Sequence, residues 1–241
     1  NYANESNYAY GIRAGGPRIL RLLERHGVPT TVTAAALSLE RAPELARAFV
    51  AGGHEIAAHG WRWIHQFSYD EDRERAFIER AAASIEATCG ARPTGWLSRY
   101  LHTPRTRRLL IEQGYAWHMD DFSDDLPRWE AVEMADGATE PLVCVPYALD
   151  TNDMKFWTAP GYTPAQWLDY ARASFDWMLA ESRELGPRML SVGLHLRIIG
   201  RPGRIGALDA FLEHVTGRED VWIATRGDIA RRFAECVPWS R

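Results

Sequence analysis

The chain has 241 residues, 46% hydrophobic and 25% charged, with a formal net charge of −4 at pH 7. These values suit one globular core and leave no basic footprint for nucleic acid and no polybasic surface for anionic lipid. No apolar run approaches the ~18 residues of a membrane span, no signal-peptide pattern opens the sequence, and three widely spaced cysteines, Cys89, Cys144 and Cys236, lack any Cys-x-x-Cys spacing. The expectation is a cytoplasmic protein without a disulfide framework or a structural zinc site.

In chain order, residues 1–10 are polar and aromatic, with no strand pattern. Gly15-Gly16-Pro17 opens a helix with apolar residues Ile19, Leu20, Leu22 and Leu23, and Gly27 ends it. A Thr- and Val-rich strand is predicted over 29–35, a helix over 43–50 and a short strand over 54–58. A loop dense in His and Trp runs from 59 to 67. Ser68 and Glu71 have capping-box spacing before a helix reaching about residue 87. Strands follow at 94–97 and 115–119, separated by a helix that Thr103-Pro104 opens. An acidic loop spans 120–129, and a strand at 142–145 holds Cys144, a small core residue. A polar and aromatic loop runs to 162, and a second capping box, Thr163 to Gln166, opens a helix to about 184. Strands at 189–194 and 221–224 and helices at 204–216 and 228–236 complete the chain.

Strand and helix alternate throughout, which predicts an α/β protein with parallel strands and crossover helices. No linker, internal repeat or low-complexity segment divides it, so a single domain over 1–241 is expected. The apolar run 189–194 ends in His195, with Arg197 two residues on. In a strand these two share a face, and the C-terminal ends of parallel strands carry chemistry in α/β folds. A histidine there suits proton delivery to a leaving nitrogen. An ordinary hydrogen-bonded strand-end histidine is the plain alternative.

The segment Leu194-His195-Leu196-Arg197-Ile198-Ile199-Gly200-Arg201-Pro202-Gly203-Arg204 resembles the last motif of a branch of the polysaccharide deacetylase (NodB-type) superfamily, the branch of metal-independent allantoinases and cyclic-imide hydrolases. His59-Gly60-Trp61-Arg62-Trp63, Arg92-Pro93-Thr94-Gly95-Trp96, Asp124-Asp125-Leu126-Pro127 and the stretch from Pro146 to Met154 agree in the same order. The resemblance implies a distorted (β/α) barrel of the polysaccharide deacetylase type. The family's first motif, an Asp pair on the first barrel strand, would lie upstream of 8–15, so the first strand is expected to be missing from this chain. Ala9 stands where the branch usually has Glu, and His118 where it often has Asp.

Carried onto this chain, the resemblance makes His195, His59 and Asp120 the catalytic candidates. His195 would protonate the departing nitrogen, and His59 and Asp120 would orient water or act as its base. Substrate-binding candidates are Arg92, Trp96, Arg197, Asp150, Asn152 and Trp61. Each has a plain alternative: Arg92 a solvated arginine before a turn, the Asp150–Asp153 run an Asx-rich turn, the acidic loop a solvated one. Arg201 and Arg204 join Arg197 as candidates to hold a carbonyl oxygen or a carboxylate product. Metal-dependent relatives place a second histidine where this chain has Trp63, so His59 is the only motif ligand present for a metal and no cofactor is expected. His65, His26, His54, His102 and His214 lack motif context.

The expected activity is hydrolysis of a non-peptide C–N bond, ring opening of a small cyclic amide, imide or ureide. One alternative is a metal-dependent N-deacetylase of an amino sugar or polysaccharide, using a zinc-like divalent ion. Another is a non-catalytic metabolite-binding descendant. The expected partners are a small-molecule substrate and further copies of the chain as a dimer or tetramer, with no nucleic acid or membrane.

Overall fold

The computed structural model describes residues 2–100 and 102–240. The chain forms two compact units. One comprises the chain up to Val28 with Tyr147–Ile223, the other Pro29–Pro146 with the chain from Ala224.

The second unit carries the sheet. Its strands are β1 (Thr31–Ala34), β2 (Glu55–Ala58), β3 (Gly95–Trp96), β4 (Trp117–His118), β5 (Arg128–Glu133) and β6 (Thr139–Cys144), in spatial order β1-β2-β3-β4-β6-β5. All neighbours are parallel except β5 and β6. The α/β class and the parallel sheet therefore agree with the alternation in the sequence. The predicted strand at 142–145 is present as β6, which begins earlier, at Thr139; its hairpin partner β5 falls on the end of the expected acidic loop and a stretch with no predicted element. The hairpin turn carries Asp136-Gly137, with Gly137 at φ 82°, a strong hairpin signal. The parallel register aligns Ala34, Ala58, Trp96, His118 and Cys144 in one row across the sheet. Residues just beyond this row leave the sheet together.

The helices α3 (Ala36–Glu40), α4 (Pro43–Ala51), α5 (Glu71–Cys89) and α6 (Thr106–Glu112) supply the core with Leu39, Ala46, Phe77, Ile78, Ala81, Ala82, Ile85, Leu109 and Leu110, which pack with Trp96 and Tyr115. The helix α5 is capped by the Asp70 carboxylate, which accepts the Arg73 N–H at 2.9 Å. The Ser68–Glu71 box expected there is not used, because Asp70 is a better acceptor one residue before the helix. Buried Glu74 ties α5 to the entrance of α6. Gln66 Nε2 (2.8 Å), Thr103 Oγ1 (2.6 Å) and Thr106 Oγ1 all donate to its carboxylate.

The first unit is helical. The helices α1 (Tyr2–Tyr10) and α2 (Gly16–His26) join through a π-helical turn, Gly11–Gly15. The helix thus starts well before Gly15-Gly16. These glycines serve close packing: a Cβ on Gly15 would overlap the Leu196 carbonyl oxygen, and one on Gly200 would crowd Gly15. The helix α7 (Pro164–Leu185) opens with the predicted capping box, Thr163 N–H to Gln166 Oε1 at 2.9 Å and Gln166 N–H to Thr163 Oγ1 at 3.2 Å. It packs on α8 (Pro202–Val215) through Trp167 and Phe211. The last helix, α9 (Arg226–Cys236), belongs to the sheet unit.

Two predicted strands are corrected. Residues 189–194 and 221–224 form no strand. In the first, the Ser191 carbonyl accepts the Thr151 hydroxyl and the Gly193 carbonyl accepts the Asp153 N–H at 2.9 Å. A polar loop uses the acceptors that a neighbouring strand would need.

Glu74→Ala removes the carboxylate that three buried donors share. Its unfolding free energy in urea is expected to fall by about 3 kcal/mol; a loss within about 0.5 kcal/mol would refute the structural role given to this carboxylate.

Candidate active site

Each unit carries one dense polar cluster. In the helical unit, the 3₁₀ turn Asp153–Phe156 is capped by Asn152, whose Oδ1 accepts the Met154 N–H at 2.8 Å. Asp153 follows, fully buried. Its Oδ2 accepts the backbone N–H of His195 (2.8 Å) and of Ile199 (3.1 Å), and its Oδ1 accepts from His195 Nδ1 at 2.6 Å. A carboxylate only accepts here, so His195 Nδ1 carries the proton and Nε2 is the atom left to exchange one. This is the orienting arrangement that a general acid–base histidine needs.

His195 opens a tight turn, with Ile198 N–H donating to its carbonyl at 2.8 Å. Arg197 therefore lies in a turn, and the strand alternation that was to place it on the His195 face does not exist. Its guanidinium stands over the rings of Tyr8 and Trp157. Asn152 Nδ2 donates to the Tyr147 hydroxyl, and both crowd Gly193, where any Cβ would collide with them. Asp150 is exposed and accepts from Tyr170 Oη at 2.9 Å.

In the sheet unit, His59 leaves β2 one residue beyond the aligned row. Ser98 and Asp120 leave β3 and β4 two residues beyond it. Asp120 accepts the Ser98 N–H at 2.6 Å and the Ser98 hydroxyl at 2.7 Å, and that hydroxyl accepts the Trp96 indole N–H at 2.9 Å. His59 Nδ1 donates to the Leu97 carbonyl at 2.7 Å, and its Nε2 accepts the Trp63 indole N–H at 2.8 Å. Arg99 lies 4.0 Å from the Trp63 ring and donates to the Trp63 carbonyl.

Behind Asp120 sits a charge network. His118 Nδ1 accepts the Asp120 N–H at 3.2 Å, and its Nε2–H meets Glu130 at 3.1 Å. Arg107 and Arg128 also hold Glu130, and Arg128 pairs with Asp121 at 2.8 Å. Burial works to raise the Glu130 and Asp121 carboxyls. The hydrogen bonds and positive charges around them outweigh it, holding Glu130 below and Asp121 well below the usual range.

The structure thus groups His195, Arg197 and Asn152 in one unit and His59 with Asp120 in the other. Four candidates join neither group: Asp150, which holds Tyr170, and Arg92, Trp96 and Trp61. Arg92 precedes β3 and pairs with Glu79 at 2.6 Å on α5. Trp96 is wholly buried in the core between Phe77 and Tyr115, with only its N–H reaching the polar cluster. Trp61 packs under Arg80 and donates to Glu40. The sequence does not point to Ser98 or Arg99 as site residues, and it offers Asp153 only as part of the Asp150–Asp153 run, not as the partner of His195. Ser98 and Arg99 follow a predicted strand, so the strand-end rule is the signal that could have found them. Asp153 lies 42 residues before His195, and no local pattern links the two.

The motif does not fit a metal ion. The Nε2 lone pair of His59 that would bind one accepts the Trp63 N–H, and an indole offers no ligand atom. Among the described residues, the ligand-type group His118, Glu130 and Cys144 has donor atoms within 4.8 Å of one another. Its Glu130 oxygens are occupied by guanidinium groups, and burial pushes the Cys144 thiol up to about 12. It is an ion-pair network.

The polysaccharide deacetylase family profile matches residues 7–116. A Schizosaccharomyces pombe protein assigned to the polysaccharide deacetylases is 36% identical over 98% of this chain and 77% of its own length. The chain belongs to the polysaccharide deacetylase family. Crystal structures of PuuE allantoinase (TM-score 0.92) and of a Pseudomonas aeruginosa PAO1 protein assigned to the polysaccharide deacetylases (TM-score 0.91) are each 42% identical. Both cover 100% of this chain, and 78% and 79% of their own.

Carboxylates whose folded pKa is depressed stabilise the fold above their unfolded pKa, and that stability is lost as pH falls through the folded value. The Glu130–Asp121 network is expected to contribute fully above about pH 5 and to weaken progressively below about pH 4. Glu130→Gln should show a shallower acid loss of the urea midpoint; an unchanged slope would remove Glu130 from the account.

Proposed function

We propose that the protein is a hydrolase of non-peptide C–N bonds that opens a small cyclic amide, imide or ureide. The Asp153–His195 pair is the observation that carries this reading. Water adds its oxygen to a ring carbonyl carbon, the C–N bond breaks, and His195 Nε2 delivers a proton to the departing nitrogen. One hydrogen of the water ends on that nitrogen and the other is released as the new acid ionises. Asp153 keeps His195 in the tautomer that presents Nε2 and stabilises the imidazolium form. The likeness to PuuE allantoinase supports ring chemistry. The Trp63–His59 bond supports a route without a metal at that motif.

The test is turnover on allantoin, dihydrouracil, hydantoin, succinimide and an N-acetylglucosamine oligomer, each with and without a chelator. Chelator-resistant opening of a ring is expected. Chelator-sensitive acetate release from the oligomer would move the protein to metal-dependent N-deacetylation. On the ring substrate, His195→Ala should lose about 10²–10⁴-fold in kcat and Asp153→Asn at least about 10²-fold; near-normal turnover in His195→Ala would end its role as acid.

A further inference from the structure

Three arginines, Arg197, Arg201 and Arg204, cluster around the turn that follows His195. The Arg197 guanidinium carbon lies 4.5 Å from the Tyr8 ring centroid and 5.4 Å from that of Trp157. Arg201 stacks on Tyr10 at 3.5 Å and donates to Asn7 Oδ1. Arg204 stacks on Phe156 at 4.9 Å and donates to the Ile198 carbonyl. Among the described residues none of the three pairs with a carboxylate. Elsewhere in the same unit Arg25, Arg183 and Arg188 do, with Asp209, Asp220 and Glu181. Asp153, fixed to this turn, is buried and already accepts three hydrogen bonds.

Arg197 differs from its two neighbours. Among the described residues its guanidinium donates to no protein acceptor. Its contacts are the two rings, and its N–H groups are left for a ligand; a guanidinium binds a planar carboxylate through two parallel hydrogen bonds. Tyr8 and Trp157 are 39% and 46% exposed, so the cage opens to solvent. It is also pre-formed. The π-helical turn packs closely against the turn after His195, where a Cβ on Gly11 would lie only 3.1 Å from Arg197 N. Fixing the long side chain before a ligand arrives removes much of the ordering cost of binding.

Ring opening turns a neutral carbonyl into a carboxylate on the carbon next to the nitrogen that His195 protonates. We propose that Arg197, caged by Tyr8 and Trp157, is a carboxylate subsite that takes the newly formed carboxylate of the ring-opened product. This rests on the ring-opening reading. Arg201 and Arg204 add positive potential to the subsite.

The full chain is titrated by calorimetry with succinamate, the ring-opened form of succinimide, and with succinamide, its uncharged counterpart. Succinamate is expected to bind at least about tenfold more tightly. Arg197→Met should abolish the preference, and Arg197→Lys, which keeps the charge but not the fork, should restore part of it. His195→Ala should keep it. Circular dichroism checks folding, and Arg197→Gln replaces Arg197→Met if the latter does not fold. No preference in the wild type, or a preference that survives loss of Arg197, overturns the subsite. The binding test needs no turnover. An Arg197-dependent preference without opening of any ring would keep the subsite and end the ring-opening reading, whereas ring opening without the preference would do the reverse.

Discussion

The helical unit depends on one buried carboxylate. Asp153 has no exposed surface, yet it accepts the backbone N–H groups of His195 and Ile199 and the Nδ1–H of His195. A carboxylate out of water is costly unless its lone pairs are occupied, and here three donors occupy them. The same bonds close the 195–199 turn and orient the imidazole. Ile198 and Ile199, both fully buried, anchor that turn. Fold stability and the orientation of the His195 ring are therefore one structural fact: whatever loosens Asp153 loosens both.

The sheet unit reaches a comparable rigidity by a different route. Parallel register delivers His59, Ser98 and Asp120 at the C-terminal ends of neighbouring strands, because each leaves its strand one or two residues beyond a common row. Hydrogen bonds then fix them. Trp96 belongs to the core by its ring and to the polar cluster by its N–H, so core packing holds Ser98, and Ser98 holds Asp120. Trp63 does for His59 what a metal ion would do in a metal-dependent relative, since it occupies the Nε2 lone pair. The fold hosts more than one chemistry, and this residue is where the chain departs from the metal-binding pattern.

Much of the architecture was legible because its signals are local. Capping chemistry at Thr163, Gly and Pro punctuation, and apolar runs of strand length located the parallel strands and most helices. The failures were also physical. Residues 189–194 read as a strand because they are short and apolar, but a run of that kind is a strand only if a neighbour supplies donors, and Thr151 and Asp153 supply them instead. The strand β5 was hidden among charged residues that pair with one another, Arg128 with Glu130 and Asp121. Arg92 carried a motif match, yet its nearest acids lie on α5.

By itself, the sequence determined the α/β class, carried the motifs that resemble the family and singled out His59 and His195 as candidates, since all of these rest on residue type and spacing within a few positions. Only the tertiary structure decided that Asp153 orients His195, that Ser98 holds Asp120, and that Tyr8 and Trp157 enclose Arg197. Those partners lie from 22 to 189 residues apart in the chain, and hydrogen bonds or ring contacts over such separations are set by how distant segments pack, which no local pattern encodes.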